Sequence, residues 1–542
     1  MPTPRLLALF SGLLLAIAPS TATAQCELDK VYASDGGDTD QFGSVMAVAS
    51  GTVLVGAHFN DEHGSNAGAA YVYRIQPDGS WLETQKLTAS DAATDDRYGF
   101  SVDLWANRTA IVGARYNDDL GYGSGSIYIY DLVGSTWVEE AKLVADDEQV
   151  GSLFGAAVAV HAATAVAGAS DDNQGGISSG SAYVFSDGPG GWAQSAKLNS
   201  SDAAVNDRFG ASVDVWGNTV VVGAYSADDP VVGDGTGAAY VFERQGNQWS
   251  EVAKLTASTP SPAALFGQQV RVDGTTIVAG AVFANGVGFN TGAAYVFERQ
   301  LDGSWIETGK LMADDGQDGD MFGASVAVSG DTILVGAWAT DAGAGSVYTF
   351  KNLPGDGWTQ IAETQASDAQ GFEHYGFGLS YDGVHAAVGA RQGDDLSGTM
   401  NTGSMYVHEN IGTAFPYGKS CPGEGGFSPQ LSASGCPSPG GAFSLDVSGG
   451  LGGSTAIFFF GLNQAAAPFG PPGCTFNVTP ILGTQFYLGL GGVGAGNGSG
   501  SLNLVIPADA PIVDLTTQAW ILDPSVPFIG ASGTNGLQIS IE

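Results

Sequence analysis

The sequence predicts an all-β fold, a seven-bladed β-propeller followed by a small β-sandwich, and three observations carry that prediction. An aromatic-glycine pair recurs seven times, at Phe42-Gly43, Tyr98-Gly99, Phe154-Gly155, Phe209-Gly210, Phe266-Gly267, Phe322-Gly323 and Tyr375-Gly376, with spacings of 56, 56, 55, 57, 56 and 53 residues. Each copy contains four pieces of strand length in which apolar and polar residues alternate. The composition has 82 glycines and short runs of Val, Thr, Tyr and Trp between turn residues, and no helical periodicity. A period this steady means stacked supersecondary units, each burying its apolar face only against its neighbours.

Residues 1–24 carry Arg5, an apolar run from Leu6 to Ala18, and small residues ending at Ala24. That is the pattern of a secretory signal peptide. No later run reaches the ~20 apolar residues of a membrane helix, so no membrane span is expected. The propeller is assigned to residues 25–415. It opens with a strand, Leu28 to Ala33, of the kind that closes each repeat.

The four pieces are clearest in the fourth copy: Phe209 to Val215 (A, inner), Thr219 to Ala224 (B), Ala238 to Glu243 (C) and Trp249 to Leu255 (D, outer). A Gly-Ala pair ends every B piece, from Gly56 to Gly389, where a crowded inner barrel would admit little side chain. Tyrosines from Tyr71 to Tyr406 sit mid C, and tryptophans from Trp81 to Trp358 open D; both are expected to pack between blades. Lys30, Lys86, Lys142, Lys197, Lys254 and Lys310 recur on D, where they are expected to blunt the exposed outer edge. The seventh copy ends after its C piece at His408, so its outer strand is expected from the N-terminal segment, closing the ring.

The aromatic-Gly opening, the Val-Gly-Ala strand and the Gly-Ala-Ala-Tyr-Val-Phe strand resemble FG-GAP repeats, which build the seven-bladed propeller of integrin α chains and of many bacterial surface proteins. The resemblance covers roughly Leu28 to Asn410 and implies an adhesion or ligand-binding module, secreted or at a bacterial cell surface. Integrin-like copies bind calcium in a DxDxDGxxD loop between strands A and B. Here those turns are short, as at Ala49-Ser50-Gly51 and Ser329-Gly330-Asp331, so such sites are not carried over.

Residues 416–542 change in texture to Gly, Pro and Ser, with no Lys, Arg or His after Lys419. Seven strand-like runs there predict a β-sandwich, similar to the Gly-rich C-terminal modules of assorted secreted bacterial proteins. Four cysteines allow three pairings. Ring closure would bring Cys26 near Cys421, leaving Cys436 to pair with Cys474; a latch across the closure contributes about 2 to 4 kcal/mol.

The formal net charge is −38, from 18 basic and 56 acidic residues, which makes nucleic acid and anionic membrane poor partners. In a four-stranded antiparallel blade the D-to-A and B-to-C loops emerge on one face. Those loops hold 29 of the 56 acids, against Arg97, Arg115, Arg208 and Arg391. Asp61, Glu62, Asp118, Asp119, Asp171, Asp172, Asp228, Asp229, Asp394 and Asp395 of the B-to-C loops are candidate ligands for weakly bound Ca²⁺, in the range of about 10⁻⁴ to 10⁻³ M. The alternative is that these acids only keep the protein soluble.

The fifth copy carries no charge in either loop, and Phe283 and Phe289 there are candidates for an apolar contact patch. His58 and His63 flank Asp61 and Glu62, the best local metal constellation. The six histidines are otherwise scattered and no HExxH or Gly-x-Ser-x-Gly elbow occurs, so no catalytic site is expected. The reading is a non-enzymatic propeller that binds an extracellular protein or carbohydrate. The alternatives are a metal-dependent hydrolase or lyase on the propeller face, and a structural matrix component.

Overall fold

The computed structural model describes residues 26–541 except 78, 148, 287, 354–356, 395–400, 410–413, 418–428, 436–441, 469–474, 491–493, 506–512 and 523–530. Seven four-stranded antiparallel sheets account for the repeats. In blade 1 the strands are A Val45–Ala49, B Thr52–Ala57, C Ala69–Ile75 and D Trp81–Leu87, in that spatial order. The seventh sheet takes its fourth strand from Cys26–Val31, which pairs antiparallel with Ser404–Glu409 from Cys26 opposite Glu409 to Val31 opposite Met405. One four-residue turn, Thr340–Gly343, is the only helix among the described residues.

The hydrophobic core is divided into seven layers, one at each boundary between blades. One cluster, for example, joins Ala47, Leu54, Val72 and Leu87 of blade 1 to Tyr98, Val112 and Tyr128 of blade 2. Another joins Val31, Met405 and Val407 of blade 7 to Phe42, Val55 and Tyr73 of blade 1. The repeated aromatics sit inside these layers: Phe42, Tyr98, Phe154, Phe209, Phe266 and Tyr375 are wholly buried. Phe209 meets Tyr240 edge-on at 5.5 Å and Phe242 at 5.9 Å, the favoured geometry for aromatic pairs.

Backbone contact, more than side-chain contact, sets the spacing of the blades. Gly223 ends strand B of blade 4, and a Cβ added there would lie 1.9 Å from the carbonyl oxygen of Gly267 in blade 5. Gly56, Gly113, Gly168, Gly280, Gly336 and Gly389 face the equivalent carbonyl at 1.8 to 2.2 Å. The Gly-Ala pairs therefore have no room for a side chain, as expected, and what crowds each of them is the glycine carbonyl that opens the inner strand of the next blade.

The lysines also differ from expectation. Lys86 does not blunt the outer edge; its side chain is 17% exposed and lies opposite Tyr71 in the C–D ladder. Its ammonium rests over the Tyr71 ring and bonds Asp35 (2.6 Å) and Glu62 (2.5 Å), while the Tyr71 hydroxyl donates to Asp35 (2.7 Å). The same Tyr–Asp–Lys arrangement recurs as Tyr128–Asp91–Lys142, Tyr240–Asp202–Lys254 and Tyr406–Asp368–Lys30. In blade 5 Thr259 stands in for the aspartate. Strand D adds a second tie, for Glu83 accepts from both the amide (2.9 Å) and the hydroxyl (2.8 Å) of Ser34. The outer edge is managed instead by a bulge in the C–D pairing of all seven sheets, which increases local twist.

Burial disfavours the Asp35 carboxylate, but the hydrogen bonds from Lys86 and Tyr71 outweigh it and hold its pKa below the usual value; Asp202 and Asp368 are lowered in the same way. A depressed folded-state pKa gives stability that is complete above the unfolded carboxyl pKa and is lost as pH falls through the folded value. Lys86→Met should therefore cost about 1 kcal/mol at pH 7, since Asp35 is half exposed, and this difference should shrink below about pH 4. Urea unfolding of both proteins at pH 7 and pH 3 checks it. A cost that is unchanged at pH 3 would assign Lys86 a packing role only.

In the tail, Ala414–Tyr417, Thr455–Pro468, Thr475–Gly489, Val513–Leu522 and Ala531–Ile541 form a five-stranded sheet. Gln430–Gly435, Ala442–Gly452 and Gly494–Val505 form a three-stranded one. Leu431, Leu445 and Val447 of the smaller sheet share an apolar core with Phe458, Phe460 and Ile521 of the larger. The proposed cysteine pairs lie outside the described residues: Cys421, Cys436 and Cys474 are not described, and Cys26 only through its strand. The signal segment lies outside them as well.

Candidate functional site

The D-to-A loop of each blade is bonded to the B-to-C loop of the blade before it. In blades 1 and 2 the amide of Asp95 donates to Ser65 O (2.7 Å) and that of Arg97 to Asn66 O (3.0 Å). Both loop sets therefore share one face, and on that face a cavity of about 730 Å³ opens on the propeller axis.

Its wall is written at fixed positions of the repeat. The residue after each Gly-Ala pair contributes His58, Arg115, Ser170, Tyr225, Val282, Trp338 and Arg391, one from every blade. The residue after each aromatic-Gly pair contributes Ser44, Phe100, Ala156, Ala211, Gln268, Ala324 and Phe377. The residue before each pair adds Gln41, Arg97, Leu153, Arg208 and Met321 to the mouth. All seven residues at this last position hold positive φ, from 54° at Gln41 and Arg97 to 61° at Met321. Glycine would adopt that conformation without strain, yet none of the seven is glycine.

Among the described residues, no acid lines the cavity, although the chain carries 56. Arg115 lies 3.5 Å over the ring of Phe100, and Arg391 lies 3.7 Å over Phe377. Arg97 stacks on Phe59 (4.9 Å) and Tyr116 (4.7 Å). His58, hydrogen-bonded to the Ser44 hydroxyl at 3.2 Å, sits in blade 1 between these groups. Burial first, and then the charges of Arg115, Arg97 and Arg391, push its pKa down to about 3, so the imidazole is neutral. Arg271 also lines the cavity; Asp214, whose pKa burial raises to about 7, is partly restored toward ionisation by its charge.

The carboxylates singled out in the sequence are used elsewhere. Glu62 and Asp119 bond Lys86 and Lys142. Asp172 bonds Lys197 (2.9 Å) and the Tyr183 hydroxyl (2.8 Å), and Asp171 pairs with Arg208 (3.0 Å). Asp61, Asp228, Asp229 and Asp394 accept backbone amides within their own loops, from Asn66, Gly235, Val231 and Asn401. Asp118 is exposed, and Asp395 lies outside the described residues. Among the described residues no three of His, Cys, Asp and Glu converge to hold a metal ion. His58 and His63 part company: His58 faces the axial cavity, His63 a groove between blades 1 and 2. Phe283 lines the cavity, whereas Phe289 is 68% exposed on its loop.

Arg97, Arg115, Arg208 and Arg391 entered the sequence reading only as a minority charge on an acidic face. Aligning the repeats on their Gly-Ala pairs would have shown the signal. The position that follows varies through His, Arg, Ser, Tyr, Val, Trp and Arg while the Gly-Ala pair before it does not.

The FG-GAP repeat family model matches seven segments, 27–73, 81–130, 137–185, 192–242, 249–297, 305–350 and 358–408, which together exceed half the chain. No curated protein matches the sequence.

Proposed function

Because the chain belongs to the FG-GAP repeat family, we propose that it is an exported, non-enzymatic propeller of the ligand-binding or adhesion type that takes its ligand in the axial cavity. The observation that supports this most is the lining: every blade sends one side chain from the same repeat position into a single cavity, and the seven are of six different kinds. A ring that served only to fill the axis would be satisfied by seven small apolar residues, and fold alone would not demand Arg, His, Tyr and Trp there. No helix among the described residues is long and apolar enough to cross a membrane.

A glycan and extracellular-protein array probed with labelled residues 25–542 tests the reading. The double variant Tyr225→Ala/Trp338→Ala should weaken capture at least ten-fold, while Asp118→Asn, on the exposed rim, should not change it. Equal capture by the double variant would move the site off the axis. Turnover of an arrayed glycan or peptide would replace binding by catalysis.

A further inference from the structure

Arg97, Arg115 and Arg391 form no ion pair among the described residues, in a chain where acids outnumber bases by 56 to 18. The contrast with Arg208 is local, since that mouth residue pairs with Asp171 at 3.0 Å. The buried Nε atoms of Arg97 and Arg115 have no hydrogen-bond partner. Arg115 on Phe100 and Arg391 on Phe377 occupy the same repeat positions in blades 2 and 7, so two matching guanidinium-on-ring stacks flank His58 and Ser44 of blade 1.

Stacking on aromatic faces offsets part of the cost of holding like charges together; Arg391 Nε donates to His374 Nδ1 (3.4 Å), and the other N–H donors of the three guanidinium edges have no partner among the described residues. Burial, offset in part by Tyr116 and Asp171 and reinforced by the charge of Arg97, lowers the Arg115 pKa to about 10, so the group remains charged at neutral pH. Among the described residues no carboxylate pairs with Arg97, Arg115 or Arg391; Asp171, whose charge reaches Arg115, is paired with Arg208. An unneutralised, partly desolvated set of donors is the arrangement used to receive an anion.

We infer that this side of the cavity holds the acidic group, carboxylate or sulfate, of a small organic anion whose flat or apolar body lies toward Tyr225 and Phe283. The inference rests on the axial cavity being the ligand site. Its restriction to small anions follows from the rim. The D-to-A and B-to-C loops surround the mouth with carboxylates, and their repulsion extends over a Debye length of about 8 Å at physiological salt. A polyanion must lie across that rim, whereas a single acidic group on an otherwise neutral body reaches the arginines without doing so.

Calorimetric titration of residues 25–542 at low salt, with phenylacetate, phenyl sulfate, neutral phenylacetamide, inorganic sulfate and heparin as probes, tests the inference. Phenylacetate and phenyl sulfate should bind at one site and weaken as salt rises. Inorganic sulfate should bind more weakly than phenyl sulfate, and heparin should give no heat. Arg115→Gln and Arg391→Gln should each weaken phenylacetate at least ten-fold while leaving the melting temperature of the free protein unchanged or raised, because each removes an uncompensated charge.

Phenylacetamide binding as well as phenylacetate would overturn the anion assignment and leave the axial site standing. Absence of binding by every probe would count against both. Inorganic sulfate matching phenyl sulfate would reduce the site to an anion hole without an organic body, and heparin binding more tightly than either would refute the exclusion by the rim. A fall in melting temperature of several degrees in both arginine variants would make the arginines structural.

Discussion

Gly223→Ala should destabilise the propeller by at least about 3 kcal/mol, an effect out of proportion to one methyl group. The added Cβ would stand 1.9 Å from the carbonyl oxygen of Gly267 and 2.3 Å from the Ser212 hydroxyl oxygen. The hydroxyl can rotate away, but the carbonyl belongs to the next blade and is held by its neighbours. Relief requires blades 4 and 5 to separate, and the layer between them contains Val221, Val241, Phe266, Ile277 and Tyr295, all fully buried. Overpacking that moves backbone sits at the upper end of the usual cost.

Gly246→Ala is the matched control. That glycine holds φ +64° with nothing within 4 Å of the added Cβ, so only backbone strain of about 1 kcal/mol is expected. Guanidinium unfolding of the two variants separates contact from strain. Equal midpoints would mean that the blade seam is loose enough to absorb a methyl group.

The same seam shows why the fold was legible in the sequence and the site was not. An aromatic-Gly pair and a Gly-Ala pair must recur wherever blades touch backbone to backbone, so the period, the strand count and the phase could be read directly. The cavity wall obeys no such constraint. The residue after Gly-Ala faces the axial space and meets only neighbours at the variable positions beside it, as Arg115 meets Phe100 and Trp338 meets His374, so that position is free to be His58 in one blade and Trp338 in another, and its chemistry is visible only once the blades are superposed.

Counting charge by loop pointed to the acids because most loop side chains face solvent, whereas the field on the axis depends on the few that face inward. The lysines were misread for a related reason. Alternation along strand D shows which face Lys86 shares with its neighbours, but its role follows from lying opposite Tyr71 on another strand, and a single strand does not reveal its partner.

Removal of Cys26–Val31 should have the largest effect of all, about 5 kcal/mol or more, together with self-association. In a closed ring each apolar layer needs both of its blades, and this segment supplies the outer strand of the seventh. Its loss removes buried Val31 from the layer shared with blade 1, the Lys30–Asp368 bridge (2.7 Å), and the bonds that the amide (3.1 Å) and hydroxyl (2.8 Å) of Ser367 donate to Glu27. It also bares Ser404–Glu409 as an unpaired edge, a template for pairing with a second molecule.

Melting and sedimentation of residues 34–542 should therefore show a lower transition and a concentration-dependent dimer or larger species. A peptide spanning residues 25–33, added in excess, should restore the monomer by taking the vacant place in the sheet. A monodisperse truncated protein with unchanged melting would show that the seventh blade is held by its face against blades 6 and 1 rather than by its outer strand. In that case the tie between chain ends would contribute to the order of assembly, measurable as a refolding rate, and not to the stability of the ring.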